Sequence, residues 1–154
     1  LNMESKNPDD PSQEFQHEFE LEINDAFAIA KDTVFIKPLY LSEFSYASFI
    51  DSNRNYPVNI NYPVNETSYF QINFPDEYQI AFLPGSLKLI NQDGTAEYQF
   101  LTEEKTTNLQ VIQKLNLKKQ VYSETEYLEL QEIFRNVNNK NLQEILLVKK
   151  PSME

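Results

Sequence analysis

The sequence contains no cysteine, no tryptophan, one histidine and two glycines in 154 residues. Without cysteine the chain can form neither a disulfide nor a thiolate metal site, and it has no thiol nucleophile. Any Ser-His-Asp triad would have to use His17, and no serine lies in the glycine pattern of a nucleophile elbow. His17 falls on the apolar side of a predicted strand, which favours a structural role. These absences exclude thiol chemistry and argue against a serine hydrolase.

Basic residues are also scarce. Thirteen Lys and Arg face 24 Asp and Glu, which gives a formal net charge of -11. Such a chain repels phosphate backbones and anionic lipid surfaces, so we expect no nucleic-acid partner. No apolar run reaches the length of a membrane span, and the first residues lack the order of a signal peptide. We therefore expect either a cytoplasmic chain or a mature fragment whose export signal lies upstream of Leu1.

The first thirteen residues are polar and rich in Pro, Asp and Ser. They have too little apolar surface to offset the entropy of ordering, so we predict a disordered tail or linker over 1–13. From Phe15 to Ile23, apolar side chains alternate with Glu and Gln, which predicts a half-buried strand with an acidic outer face. A chain of this length suits one domain, which we place over 14–154.

The longest two-residue periodicity runs from Asn53 to Tyr78. Because alternate side chains of a strand share a face, we expect its even-numbered apolar set to face the core. Pro57 and Pro63 cannot donate to a ladder, so the strand should run along an edge or bend before it continues over 67–74. The even-numbered set is Tyr56, Val58, Ile60, Tyr62, Val64, Phe70, Ile72 and Phe74.

Turn signals predict the other strand pairs. A hairpin is expected to turn at Ala30-Lys31-Asp32, between strands over 27–29 and 33–39. Asp93-Gly94 between alternating runs is a strong hairpin signal, and with the next alternating run it predicts a three-stranded meander over 87–117. Such a sheet buries one face and needs a second layer.

The end of the chain predicts a helix followed by a strand. Ser123 and Glu126 have the spacing of a capping box, which predicts a helix over 123–138. Its apolar stripe should dock on the sheet, and the strand over 144–149 should lie beside strands from early in the chain. We therefore predict a mainly β fold, an antiparallel β-sandwich of about eight strands with one C-terminal α-helix packed on it. The predicted stripe is Tyr127, Leu130, Ile133, Phe134 and Val137.

Binding residues are harder to identify. Nine tyrosines could supply an aromatic platform for a glycan or peptide, and we take Tyr69 and Tyr98 as the candidate ligand-binding residues. Tyr69 is out of phase with the core set and is expected to be exposed. The opening of a calcium loop is imitated at Asp51, but Tyr56 stands at its glycine position, so we expect no metal site and no cofactor.

Four stretches of the sequence resemble a known domain. Arg54-Asn55-Tyr56-Pro57-Val58 through Glu66-Thr67, together with Val34 to Leu39, Leu83-Pro84 and the run from Glu126 to Lys150, is similar to a C-terminal domain of unknown function. That domain follows a transglutaminase-like domain in multidomain envelope proteins of Gram-negative bacteria. One departure is Asn61, which stands where we expect glycine; asparagine tolerates left-handed backbone better than most residues.

The resemblance implies a non-catalytic accessory domain in an exported protein, with the upstream transglutaminase-like domain as its partner and the periplasm or cell surface as its location. The chain is then not an enzyme, and no cofactor is implied. The alternative is a free-standing extracellular module that binds a glycan or peptide. An enzyme that uses carboxylates alone is a third hypothesis.

Overall fold

The computed structural model describes residues 2–6, 12, 16–20, 27–39, 49, 54–105 and 108–151. In these ranges the chain forms twelve strands and one helix. In chain order they are β1 Asn2–Lys6, β2 Gln16–Glu20, β3 Phe27–Ala30, β4 Thr33–Ile36, β5 Val58–Asn59, β6 Val64–Asn73, β7 Tyr78–Phe82, β8 Leu87–Ile90, β9 Ala96–Glu104, β10 Asn108–Leu117, β11 Val121–Tyr122, α1 Tyr127–Asn141 and β12 Ile145–Lys149.

Two four-stranded antiparallel sheets form the layers of a sandwich. Sheet A has the order β6-β10-β9-β8, and sheet B has the order β3-β4-β12-β7. The pairs β1-β2 and β5-β11 form two short additional ladders. The predicted mainly β sandwich with a C-terminal helix is confirmed, as are the meander β8-β9-β10 and the position of the last strand beside the early β4.

One buried cluster joins both sheets and the helix. Sheet A contributes alternate residues of β9 and β10, sheet B contributes Ile145 and Leu147, and the helix contributes its apolar stripe. All five predicted stripe residues are buried. The helix lies over the inner face of sheet A, because Asn141 near its end bonds Gln113 of β10 at 3.0 Å.

The helix boundaries differ from the prediction of 123–138. Ser123 donates its backbone N–H to the Glu126 carboxylate at 2.9 Å, which is one half of the expected capping box. Its hydroxyl, however, bonds the side chains of Thr125 and Glu126 and not a helical amide. Residues 124–126 therefore form a turn, and the helix begins at Tyr127. It continues through the expected asparagine stop to Asn141.

The central periodicity is confirmed only in part. Val58, Val64 and Phe74 are buried, but Tyr56 and Tyr62 are 76% and 66% exposed, which corrects their assignment to the core. Bends precede both prolines, so the strand phase is lost over this segment. Asn61 has φ of +61°, in agreement with its predicted left-handed tolerance.

Several predictions concern the beginning of the chain. Residues 2–6, inside the segment predicted as a tail or linker over 1–13, form β1 and pair antiparallel with β2. The division into 1–13 and 14–154 stays a prediction.

The loop or helical turn expected over 40–52 lies outside the described residues except for Phe49, whose ring stacks on Phe134 with centroids 4.8 Å apart. Nowhere in the described ranges is there a helix long and apolar enough to cross a membrane.

Candidate functional site

The two candidate binding tyrosines lie on opposite faces of sheet A. Tyr69 pairs with Ile112 of β10 and Tyr98 with Leu115, and these partners are an odd number of residues apart. Tyr69 is 55% exposed on the outer face, as expected. Tyr98 is fully buried on the inner face, which corrects its proposed contact with a ligand. The structure therefore does not combine them into one binding surface.

Tyr98 belongs instead to a buried polar network beneath the helix. Gln113 donates from Nε2 to the Tyr98 hydroxyl at 2.9 Å and to Asn141 Oδ1 at 3.0 Å. Burial raises the pKa of Tyr98 to about 12, although the bond from Gln113 opposes the shift. The buried phenol stays neutral up to about this pH, and its bond to Gln113 connects β9 to β10 beneath the helix.

Charged groups at the two ends of the helix also have structural partners. Lys119 bonds the Glu126 carboxylate at 2.5 Å, and this bond lowers the pKa of Glu126 and raises that of Lys119. At the other end Lys140 donates to the backbone oxygen of Gly85 at 2.7 Å and lies over the Phe100 ring, 4.8 Å from its centroid. Burial lowers the pKa of Lys140. These contacts anchor the helix to the adjoining loops.

Two of the sequence predictions concern a metal site and the single histidine. There, no group of three or more His, Cys, Asp or Glu side chains could hold a metal ion. Asp51, which opens the imitated calcium loop, lies outside the described residues. His17 lies in β2 opposite Ser5 of β1.

An apolar surface on the inner face of sheet B is only partly buried. Two apolar rows cross β12, β4 and β3 in direct register: one is Leu147, Val34 and Ile29, and the other is Ile145, Ile36 and Phe27. Their burial falls along each row. Leu147 and Ile145 are buried, Val34 and Ile36 are half-buried, and Ile29 and Phe27 are 63% and 50% exposed. In the described part of the chain, the apolar face of sheet B thus extends past the residues that cover it, as far as β3.

These rows form one wall of an apolar groove of about 360 Å³. We call it the β3 groove. The opposite wall comes from the end of β6 and the loop that leads to β7. The lining residues are Phe27, Ile29, Val34, Ile36, Ile72, Asn73, Phe74, Pro75, Tyr78 and Leu147. With no titratable group other than Tyr78 among them, the groove is suited to binding an apolar surface rather than to catalysis.

A polar cleft adjoins the groove. It shares Phe74 and Tyr78 with the groove and is lined beyond them by Glu104, Lys105 and Lys150, among others. Lys150 donates to the backbone oxygen of Asp76 at 2.6 Å. An apolar centre beside a charged margin is the usual arrangement of a protein interface.

The hairpin that carries the groove is predicted from the sequence, but its role in the groove is not. Phe27, Ile29, Val34 and Ile36 are in phase on the two strands, so a single apolar face can be derived from the alternation. Whether that face is covered depends on how far the opposite layer extends, and local periodicity carries no such information.

Comparisons with known proteins support the fold. The family model of a domain of unknown function with a solved structure, DUF3858, matches residues 32–147. The crystal structure of a "putative protease" from Parabacteroides distasonis ATCC 8503 superposes with a TM-score of 0.55 at 11% identity. The match covers 64% of this chain but only 19% of that protein, and at this identity it shows the fold alone. No curated protein sequence matches the chain.

Proposed function

Since the chain belongs to the DUF3858 family, a domain of unknown function, we propose that it is a non-catalytic accessory domain that packs against a transglutaminase-like catalytic domain in a longer, exported bacterial protein. The proposed location is the periplasm or cell surface. The domain acts by contact, because it positions or shields the catalytic domain. The catalytic domain supplies the thiol that this chain lacks.

The β3 groove is the observation that carries this proposal. Exposed Phe27 and Ile29 extend two rows whose inner members are core residues. Apolar surface left exposed beside a core loses the free energy that burial would give, roughly 25 cal/mol per Å². A partner surface that covers β3 would recover this free energy.

The position of the groove favours a neighbouring domain as that partner. The family match begins at residue 32, so β3 lies just upstream of it, while β4 lies within it. The residues that line the groove thus lie on both sides of residue 32, where the family match begins. A domain connected at that point is held at high effective concentration beside the groove.

The size of the related structure supports the same proposal. The matched region covers 19% of the Parabacteroides protein, which is described as a "putative protease". In that protein a domain of this fold is therefore a small part of a much longer chain. An accessory role beside a catalytic domain accounts for both the fold and the absence of cysteine from this sequence.

Amide hydrogen exchange tests the proposal. We expect the amides of β3 and β4 to exchange about tenfold more slowly in the intact longer protein than in this chain alone, because the docked domain covers them. The double variant Phe27→Thr with Ile29→Thr should remove that protection. Threonine keeps the strand propensity while it removes the apolar surface.

The matched control is Phe82→Thr with Ile90→Thr. These residues are also in strands and have similar exposure, 50% and 52%, but neither lines the groove. The control should keep the protection of β3. Equal exchange in the intact protein and the isolated chain would contradict docking at the groove, and a reading frame with no cysteine-containing domain upstream of Leu1 would contradict the accessory role itself.

A further inference from the structure

One of the two edges of sheet A is formed by a long and regular strand, β6. β6 pairs with β10 over ten consecutive residues, Val64 to Asn73, without a register shift. The other edge strands are shorter. β3 and β8 have four residues each, and β7 has five residues and a register shift against β12. In the described part of the chain, no strand pairs with the other side of β6.

Proteins usually protect such an edge with charges, prolines, bulges or a short strand, because its unpaired backbone groups can pair with another strand. β6 has few of these protections. Its only charged residue is Glu66. It contains no proline, since the nearest ones, Pro63 and Pro75, lie just outside the strand. Among the described residues nothing pairs with this edge, so it is suited to accept a further strand along its length.

The outer face of sheet A as a whole is electrically neutral, and Lys114 of β10 is its charged residue on the strand beside β6. Its charged residues are Lys88 and Lys114 against Glu97 and Glu103, a balance of two positive and two negative charges in a chain of net charge -11. Lys88 and Glu97 bond each other at 2.9 Å. Two copies of an acidic chain repel each other least where the surface has no net charge.

We propose that β6 pairs antiparallel with β6 of a second copy of the chain, around a two-fold axis at Tyr69. This axis is perpendicular to the sheet, so the inner faces of the two copies lie on the same side. Such an alignment requires odd-numbered residues opposite odd-numbered ones and even-numbered residues opposite even-numbered ones. The two sheets A then become one sheet of eight strands. The pairing does not depend on the accessory role.

The residues of β6 favour this register. On the outer face, Tyr69 lies opposite the second Tyr69 as an aromatic cross-strand pair, and Thr67 lies opposite Gln71. On the inner face, Glu66 lies opposite Ile72, so the two carboxylates stay apart. The competing register, centred on Ser68, forms no aromatic pair and brings the two Glu66 side chains closer along the strands.

Single-cysteine variants of this chain test the register directly, because its 154 residues contain no cysteine. Residues directly opposite across an antiparallel pair have Cβ atoms about 4.5 to 5.5 Å apart, within reach of a disulfide or a short thiol cross-linker. Tyr69→Cys should form a covalent dimer, and Ser68→Cys should not. Thr67→Cys and Gln71→Cys should cross-link when mixed but not when each is alone.

Sedimentation measures the association itself. The paired edges bury less than a standard interface, so we expect a concentration-dependent dimer. Tyr69→Lys sets two like charges opposite each other and should weaken dimerisation about tenfold or more. Tyr62→Lys is the control, since Tyr62 is 66% exposed and outside β6. A monomer at every concentration, a dimer indifferent to Tyr69→Lys, or cross-linking through Ser68→Cys would overturn the proposal.

Discussion

Gln113 is a polar residue on the inner face of sheet A, where it connects two strands and the helix. It interrupts the apolar alternation of β10 and is nevertheless fully buried. Its amide bonds Tyr98 and Asn141, so the one side chain connects β10 to β9 and to the helix. A buried amide without partners would cost about 1 to 3 kcal/mol, and these bonds avoid that cost.

The raised pKa of Tyr98 makes stability depend on pH in the alkaline range. The folded pKa is about 12 and the ordinary value is 10.0. The unfolded chain therefore releases its proton at lower pH than the folded chain. The contribution of Tyr98 to the free energy of unfolding is fully present below about pH 10 and is lost as pH rises toward 12. At about 1.4 kcal/mol per pKa unit, this contribution amounts to roughly 2 to 3 kcal/mol.

Chemical unfolding at pH 9 and at pH 11.5 measures this effect. The unfolding free energy of the natural protein should fall between the two values, and Tyr98→Phe should fall less because it has no phenol to ionise. Tyr56→Phe serves as the control, since Tyr56 is 76% exposed and outside β6. If Tyr98→Phe and the natural protein lost equal stability, the phenol would not be buried as the structure has it.

The tyrosines also indicate how far sequence reasoning reaches at the scale of single residues. Tyr69 could be placed on the surface because its strand is uninterrupted and its phase is unambiguous. Tyr98 is in phase with Ala96 and Phe100, so its burial could have been read from the alternation. Tyr56 and Tyr62 could not be placed in this way, because the left-handed Asn61 and the adjacent bends reset the phase of the chain.

At the scale of elements, the helix depends on its docked stripe. Phe134 is buried and stacks on Phe49. Phe134→Ala removes a large core side chain and should lower the unfolding free energy by about 3 to 5 kcal/mol. Denaturant melts of the variant and the natural protein give this difference.

Leu128→Ala is the matched control on the same helix. Leu128 is 60% exposed, so its truncation should change the unfolding free energy by about 0.5 kcal/mol or less. Similar losses for both variants would show that the stripe is not the docked face of the helix.

Element identities could be predicted better than element ends. The apolar stripe at helical spacing fixed which residues face the sheet, since that spacing is a property of the sequence. The first turn depended on a choice that the sequence leaves open, because the Ser123 hydroxyl can bond either a backbone amide or neighbouring side chains. It takes the side chains, and the helix begins four residues later than the capping pattern predicts.

At the scale of the whole molecule, sheet topology locates the folding unit. β12 lies between β4 and β7 at the centre of sheet B, so the end of the chain is essential to that sheet. Within the ranges that the structure describes, β1 and β2 pair with each other and not with sheets A or B. The layers could be predicted because each strand has one apolar face, but the β3 groove could not, since its exposure depends on the relative extent of two sheets.

Truncation distinguishes these two ends of the chain. A chain that starts at Asp25 keeps both four-stranded sheets, the helix and the entire family match, and its unfolding free energy should stay within about 1 kcal/mol of the natural value. A chain that stops at Gln143 loses the central strand of sheet B, leaves β4 and β7 without a common partner, and should not unfold cooperatively. Circular dichroism during thermal unfolding measures both. Loss of the cooperative transition in the chain that starts at Asp25 would show that β1 and β2 belong to the folding unit and would move the start of the domain upstream.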